Sequence, residues 1–153
     1  MKTFIYMIRH GDSPKEGDEK TRGLTEKGKL DALQIADLLK MENIDAVISC
    51  PYRRSILTVE QIAKDIGQEV LIFEDLKERI FSTEGTRIPD KELFPLLNRS
   101  FSEPNFTLAG AESNSGCQKR SIKSLKRNIN FFSREESSFG YSRSSDDIDA
   151  GVL

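Results

Sequence analysis

The chain's single histidine, His10, stands between Arg9 and Gly11, directly after a run of five apolar residues. A neutral imidazole can attack phosphorus and carry the phosphoryl group covalently, which divides one difficult displacement into two easier steps. A guanidinium group matches phosphoryl oxygens with paired donors better than an ammonium group does. The residues around His10 are therefore typical of a site that handles phosphate.

Two further side chains would complete this chemistry. Arg54 is the second candidate ligand for the phosphoryl oxygens, although a cation on a helix surface is the alternative interpretation. The leaving alkoxide needs a proton, which a carboxyl group close to anionic oxygens can retain and donate. Glu78 is the candidate for this general acid. It stands among other acidic residues, Glu74, Asp75 and Glu84, any of which, like Glu78 itself, could be an ordinary solvated carboxylate.

Some polar residues have two interpretations each. Ser13 is a candidate phosphate ligand and Thr58 a candidate lining residue, but both are equally suited to routine capping. Glu112 and Ser113 are predicted to cap the last helix rather than touch a substrate, since serine and acidic residues favour a helix N-terminus.

The elements that must position these residues alternate between strand and helix. Residues 3–8, 45–49 and 70–73 are predicted strands, with a helix capped by Thr25 after the first and a helix closed by Gly67 after the second. The apolar residues at helical spacing in the first helix are Leu30, Leu33, Ile35, Ala36 and Leu39. This order favours an α/β domain with a parallel sheet covered on both faces.

A parallel sheet of this kind binds ligands beyond the carboxyl ends of its strands. Arg9 and His10 follow the first strand, and residues 49–54 follow the second, so the two segments are expected to meet at one crevice. Residues 78–110 form a less regular excursion with a short helix around 93–97. A last amphipathic helix follows, and its basic outer face is interpreted as solvated.

Composition changes after Phe132. Residues 133–149 are crowded with serine and charge, a composition typical of disorder. The expected organisation is one domain over 1–132 and an aberrant, poorly ordered tail over 133–153.

Length and charge exclude several classes of protein. A chain of 153 residues fits one compact domain. A formal net charge of -2 offers no broad basic face for nucleic acid, so a small phosphorylated substrate is expected. No apolar run is long enough for a signal peptide or a membrane span, and the two cysteines suggest a reduced protein in the cytoplasm. The candidate site offers no carboxylate cluster for a metal, no cofactor is expected, and the oligomeric state stays open.

Five segments, in order, resemble landmarks of the histidine phosphatase superfamily, which includes cofactor-dependent phosphoglycerate mutases and many small phosphatases. These segments are residues 7–12, 23–28, 49–55, 76–79 and 111–113. The resemblance implies an α/β three-layer sandwich with a mainly parallel sheet. It also implies a phosphohistidine on His10, phosphate ligands at Arg9 and Arg54 rather than Arg53, and a proton donor at Glu78.

The chain departs from the family at one catalytic position. Family members carry a second histidine in a Thr-His-Gly-like turn after a late core strand, and this chain contains only His10. Loss of one preorganised charge stabiliser costs on the order of 10²- to 10³-fold in rate. The late strand is also replaced by residues 133–149, so we expect an incomplete C-terminal part and impaired activity.

The genetic code offers a hypothesis for this departure. Back-translated with suitable codons and read one base later, residues 133–153 can give QGKKVVLATHGAVMTLMLEY, which is a strand, a Thr-His-Gly turn and the start of an apolar helix. The hidden histidine would straddle Ser142 and Arg143. Phe131 and Phe132 could be encoded by a run of thymines, where a base is easily gained. We therefore expect the tail to be a frameshift product.

Three functions follow from these residues. The favoured one is a phosphatase acting on a small phosphomonoester, because residues 78–110 lack the dense basic set that a doubly phosphorylated glycerate would need. Phosphoryl transfer of the mutase type and a non-catalytic phosphate-binding remnant are the alternatives. A nucleotide-binding domain is disfavoured, since no glycine-rich phosphate loop follows the first strand.

Overall fold

The structure is a computed structural model that describes residues 2–81, 88–108, 110–138 and 147–148. Within these residues the chain folds into four short strands and four α-helices. The strands are β1 (Lys2–Thr3), β2 (Ile48–Ser49), β3 (Leu71–Ile72) and β4 (Asp147–Ile148). The helices are α1 (Glu26–Leu39), α2 (Arg53–Asp65), α3 (Asp90–Ser102) and α4 (Asn114–Ser138).

The described strands form two parallel pairs, β1 with β4 and β2 with β3. In the second pair Ile48 lies opposite Leu71. Strands β2 and β3 are joined through α2, the crossover that parallel neighbours require. The predicted α/β class and parallel pairing are therefore confirmed.

The first strand is shorter than its apolar run predicts. β1 ends at Thr3, and the side chains of Phe4 and Met7 are 71% and 78% exposed. The expectation of a run buried on both faces is wrong for these two residues. Burial of a strand on both faces requires neighbouring elements on each side, and β1 pairs with one strand among the described residues.

Helix α1 begins where the sequence predicts. The Thr25 hydroxyl accepts a hydrogen bond from Gly28 N at 3.1 Å, which satisfies one of the free amides of the first turn. The buried face of α1 includes Ala32 and Ala36, whereas Leu30 and Leu33 are largely exposed. The helical spacing of the apolar residues is therefore confirmed, but the packed face of α1 is built on alanine rather than on these two leucines.

One apolar cluster holds α1 and α2 against the β2 region. Its buried members are Ala36, Val47, Val59, Ile62 and Ala63. Helix α2 ends at Asp65, and Gly67, the residue predicted to close it, follows with a φ of +68°, which favours glycine over any residue with a Cβ atom. This packing fixes the N-terminus of α2, where Arg54 lies.

The chain divides into two compact units, residues 1–74 with 128–153 and residues 75–127. The second unit contains α3, which confirms the short helix expected around 93–97. Helix α4 continues to Ser138, so it crosses the boundary that composition places after Phe132. Residues 139–146 and 149–153 of the predicted tail, and Glu84, lie outside the described residues, and the division at 132 stays a prediction.

In the part of the chain that the structure describes, no helix combines the length and the apolar character needed to cross a membrane.

Candidate functional site

The segment after His10 is attached to helix α2. Gly11 N donates a hydrogen bond of 3.0 Å to Thr58 Oγ1, and the same hydroxyl donates to the Arg54 carbonyl at 2.7 Å. Thr58 is buried, so neither bond competes with bulk water. Two segments more than forty residues apart in sequence, those of His10 and Arg54, are therefore linked through one hydroxyl group.

The other side of the His10 segment lies against the first turn of α1. Thr25 N donates to the Asp12 carbonyl at 3.0 Å. The two backbone segments approach so closely that a Cβ atom at Gly28 would lie 2.1 Å from the Asp12 carbonyl oxygen. Gly28 is therefore required for this packing, which holds residues 11 and 12 against two helices.

The imidazole of His10 is half-buried and has a backbone partner. Its Nδ1 lies 2.9 Å from the Gly11 carbonyl oxygen, so a protonated Nδ1 donates to that oxygen. A proton held at Nδ1 leaves the lone pair on Nε2. This is the tautomer that a nucleophilic imidazole needs.

Arg54 is buried, whereas its neighbour Arg53 is exposed. Arg54 Nη1 donates to the Glu19 carbonyl at 2.8 Å and lies 2.9 Å from Glu19 Oε2. Its guanidinium carbon is 4.8 Å from the centre of the Tyr52 ring. A buried guanidinium group requires a partner of opposite charge, and the Glu19 carboxylate supplies it.

Sequence reasoning did not single out Glu19 or its second partner, Arg22. Arg22 Nη2 donates to Glu19 Oε1 and Oε2 at 2.8 and 2.9 Å. Burial raises the pKa of Glu19, but the bonds from Arg22 and the charge of Arg54 outweigh it and leave this pKa below its ordinary value. Glu19 lies in an acidic, irregular loop, and nothing in its spacing distinguishes it from Glu16 or Asp18.

The other two predicted phosphate ligands lie in the same unit. Ser13 Oγ donates to the Gly23 carbonyl at 2.8 Å, a bond that ties two loop segments together. Arg9 is exposed. The Ser13 hydroxyl therefore makes a structural bond in addition to its predicted role. The assignment of Ser13 and Arg9 as phosphate ligands stays a prediction.

Glu78 belongs to the second unit and is exposed, in a stretch without regular secondary structure. Contacts on both sides fix its main chain. Arg120 Nη1 donates to the carbonyls of Asp75 and Lys77, at 2.5 and 3.2 Å, and Glu112 N donates to the Ile80 carbonyl at 2.7 Å. The backbone around the predicted general acid is thus attached to α4 and to the residues before it.

Glu112 and Arg120 also bind each other directly. Arg120 Nε and Nη2 donate to the two carboxylate oxygens of Glu112 at 2.9 and 2.7 Å. These bonds, opposed by burial, lower the pKa of Glu112. Ser113 Oγ accepts from Gly116 N at 3.0 Å, which confirms that Ser113 caps α4, whereas the carboxylate of Glu112 is engaged by Arg120.

The first unit contains both the predicted nucleophile, His10, and a buried positive charge, Arg54. The Nδ1 atom of His10 lies against the Gly11 carbonyl, and α2 carries a buried guanidinium group one helical turn before the Thr58 hydroxyl that anchors the His10 segment. Among the described residues, no group of three or more histidine, cysteine, aspartate or glutamate side chains is arranged to hold a metal ion.

The chain belongs to the histidine phosphatase superfamily, branch 1, which it matches over residues 5–135. Among its curated relatives are proteins named "probable phosphoglycerate mutase GpmB". The protein from Cronobacter sakazakii is 32% identical over 79 residues, 48% of this chain and 37% of the relative. The protein from Escherichia fergusonii is 32% identical over 88 residues, 54% of this chain and 41% of the relative. The chain therefore spans about two fifths of the length of these relatives.

Solved structures share the fold at low identity. A mycobacterial glucosyl-3-phosphoglycerate phosphatase in complex with inorganic phosphate superimposes with a TM-score of 0.69 at 16% identity, over 92% of this chain and 68% of that chain. YhfR from Bacillus stearothermophilus gives a TM-score of 0.69 at 17% identity, over 98% of this chain and 72% of that chain. The fold is therefore α/β and phosphoglycerate mutase-like.

Proposed function

We propose that the protein is a phosphatase that transfers the phosphoryl group of a small phosphomonoester to His10 and then to water. The observation that supports this most directly is the hydrogen-bond chain from Gly11 through Thr58 to Arg54, since it attaches the imidazole segment to the helix of a buried guanidinium. The contact between His10 Nδ1 and the Gly11 carbonyl also favours a nucleophilic Nε2.

In the proposed reaction, Nε2 of His10 attacks phosphorus while the bond from phosphorus to the ester oxygen breaks. Arg9 and Arg54, with Ser13, hold the non-bridging oxygens as negative charge spreads over them. The Glu78 carboxyl group gives its proton to the leaving oxygen. Water then attacks the phosphohistidine, Glu78 takes a proton from that water, and inorganic phosphate leaves.

We also propose that turnover is slow. The sequence contains one histidine, so the second imidazole of the family has no counterpart in it, and loss of one such stabiliser lowers the rate on the order of 10²- to 10³-fold. The cytoplasm is the proposed location, because small phosphomonoesters and reduced cysteines both fit it.

Two alternative functions each have one observation in their favour. Transfer back to substrate, as in a mutase, is favoured by the name of the GpmB relatives. A protein that binds phosphate without turnover is favoured by the single histidine. Phosphatase activity is preferred over the mutase reaction because residues 78–110 lack a dense basic set for a doubly phosphorylated substrate.

The test is hydrolysis of p-nitrophenyl phosphate, measured as released inorganic phosphate. We expect slow hydrolysis that His10→Ala abolishes and that Arg54→Lys lowers by roughly 10²-fold, the effect of a lost charge stabiliser. Arg53→Lys is the matched control, since its side chain is exposed, and it should leave the rate unchanged. Hydrolysis that survives His10→Ala would exclude the proposal, and phosphate binding without hydrolysis would establish the binding-only alternative.

A further inference from the structure

The carboxylate of Glu19 lies between two guanidinium groups. Oε2 is 2.9 Å from Arg54 Nη1 and 2.9 Å from Arg22 Nη2, and Oε1 is 2.8 Å from the same Arg22 nitrogen. Two arginines from separate segments therefore converge on one pair of anionic oxygens. Planar donors that converge in this way suit any tetrahedral or planar oxyanion.

The charges at this position do not balance. Two guanidinium groups face one carboxylate, whereas a phosphate monoester dianion would bring a second negative charge and a third oxygen. Arg22 Nε is buried and has no hydrogen-bond partner among the described residues, so Arg22 has one donor whose hydrogen-bonding capacity is unused. The two arginines are thus better matched to a phosphoryl group than to Glu19.

The side chain of Glu19 can leave without disturbing the fold. It is 64% exposed, whereas the side chain of Arg54 is 1% exposed. Rotation of an exposed glutamate into water removes no apolar contact from the core. The displaceable group is therefore the carboxylate, and the buried guanidinium is the fixed one.

The backbone of the same loop is held by other bonds. Arg53 N donates to the Lys20 carbonyl at 3.0 Å, and the Asp18 carboxylate accepts from Lys20 N and Thr21 N at 3.0 and 2.9 Å. The Glu19 carbonyl also stays bonded to Arg54. Displacement of the carboxylate thus requires a side-chain rotation and no loop opening.

We propose that Glu19 competes with the phosphoryl group of the substrate for the position between Arg22 and Arg54. The proposal rests on the phosphatase function above and adds two roles to it. Arg22 is a further ligand of the phosphoryl group, and Glu19 is an internal competitor that weakens the binding of phosphate, including the phosphate product.

The experiment is a calorimetric titration of inorganic phosphate into the full chain at neutral pH. Glu19→Gln keeps the size of the side chain and removes its charge, so we expect the Kd to fall roughly tenfold, which corresponds to about 1.4 kcal/mol. Glu16→Gln is the matched control, because it removes an exposed carboxylate from the same loop, and it should bind phosphate like the wild type. Arg22→Lys should weaken binding, because a lysine cannot reproduce the paired donors.

Two outcomes would overturn the proposal. The first leaves the phosphate site of the proposed function intact, and the second excludes that site as well. If Arg54→Lys weakens phosphate binding but Glu19→Gln leaves it unchanged or weaker, Glu19 is no competitor, although the phosphate site exists. If Arg54→Lys has no effect, or no variant binds phosphate, both the competition and the proposed phosphate site are wrong. Circular dichroism of each variant establishes that it is folded.

Discussion

At the scale of single residues, Thr58 connects the segment of the proposed nucleophile, His10, to helix α2, which carries Arg54. Its hydroxyl accepts from Gly11 N and donates to the Arg54 carbonyl, and its side chain is buried. When a buried hydroxyl that both donates and accepts a hydrogen bond is removed, its two partner groups have no nearby replacement for it. The position of the segment that contains His10 therefore depends on Thr58.

Thr58→Val tests this dependence, because valine has the same shape without the hydroxyl group. We expect a loss of about 1–3 kcal/mol in the free energy of unfolding, since the partly buried Gly11 amide loses its partner. Thr58→Ser retains the hydroxyl and is the control, with a smaller loss. Urea unfolding measures both, and a valine variant within about 0.5 kcal/mol of the wild type would show that the bond contributes little.

The sequence distinguishes the candidate site residues unevenly. His10 and Arg54 are candidates because one follows an apolar run and the other stands at a helix start, and their roles stay proposals. Glu19 could not be singled out, because its role comes from an ion pair across 35 positions in sequence, and an acidic loop of several carboxylates contains no signal for which of them is bound. Only the folded geometry identifies the partner.

At the scale of elements, the helices were predicted well and the strands less well. Thr25 and Gly67 mark the ends of α1 and α2 by local backbone chemistry, which the sequence carries directly. Burial of Leu30 and Phe4 depends on which neighbours pack against them, and that is a property of the tertiary structure. The sequence pattern therefore predicts that an apolar face exists but not whether it is covered.

In the second unit, the link between Glu112 and Arg120 fixes the segment that contains Glu78. The folded-state pKa of Glu112 is lowered, with the Arg120 bonds as the main cause. A carboxyl group with a lowered pKa stabilises the fold above its unfolded pKa, about 4.3. That stabilisation disappears as the pH falls through the folded-state pKa, so acid should weaken this attachment.

We therefore expect the free energy of unfolding to fall less between pH 7 and about pH 3 in Glu112→Gln than in the wild type, because the variant has no carboxylate to protonate there. Glu103→Gln is the control, since its carboxylate pairs with Arg99 at 3.1 Å in an exposed position where water screens the charges. Urea midpoints at the two pH values provide the measurement. Equal pH dependence in the wild type and Glu112→Gln would contradict the assignment.

At the scale of the whole molecule, the chain divides into two compact units and spans about two fifths of the curated relatives. The prediction of one domain over 1–132 comes from composition, which carries no information about how contacts are distributed, and it stays a prediction. The large exposed side chains in the first unit, including Phe4, Met7 and Leu30, are apolar residues that lie uncovered in this structure. The fold of the family is nevertheless present in this chain.

The frameshift hypothesis makes a prediction at this scale that needs no protein. We expect the coding DNA to contain a run of thymines at Phe131 and Phe132, followed by codons that spell a strand and a Thr-His-Gly turn when read one base later. Sequencing across this run decides the question. Codons incompatible with the shifted reading frame would contradict the hypothesis and leave the tail as an authentic segment.

The central claim is that His10 accepts a phosphoryl group, and trapping this intermediate tests it most directly. The protein is incubated briefly with a phosphomonoester, quenched in alkali and digested, and the peptide that contains His10 is examined by mass spectrometry. We predict a phosphate on His10 that survives alkali, is lost in acid and is absent from the His10→Ala variant. Phosphate on another residue, or hydrolysis without any phosphohistidine, would contradict the account.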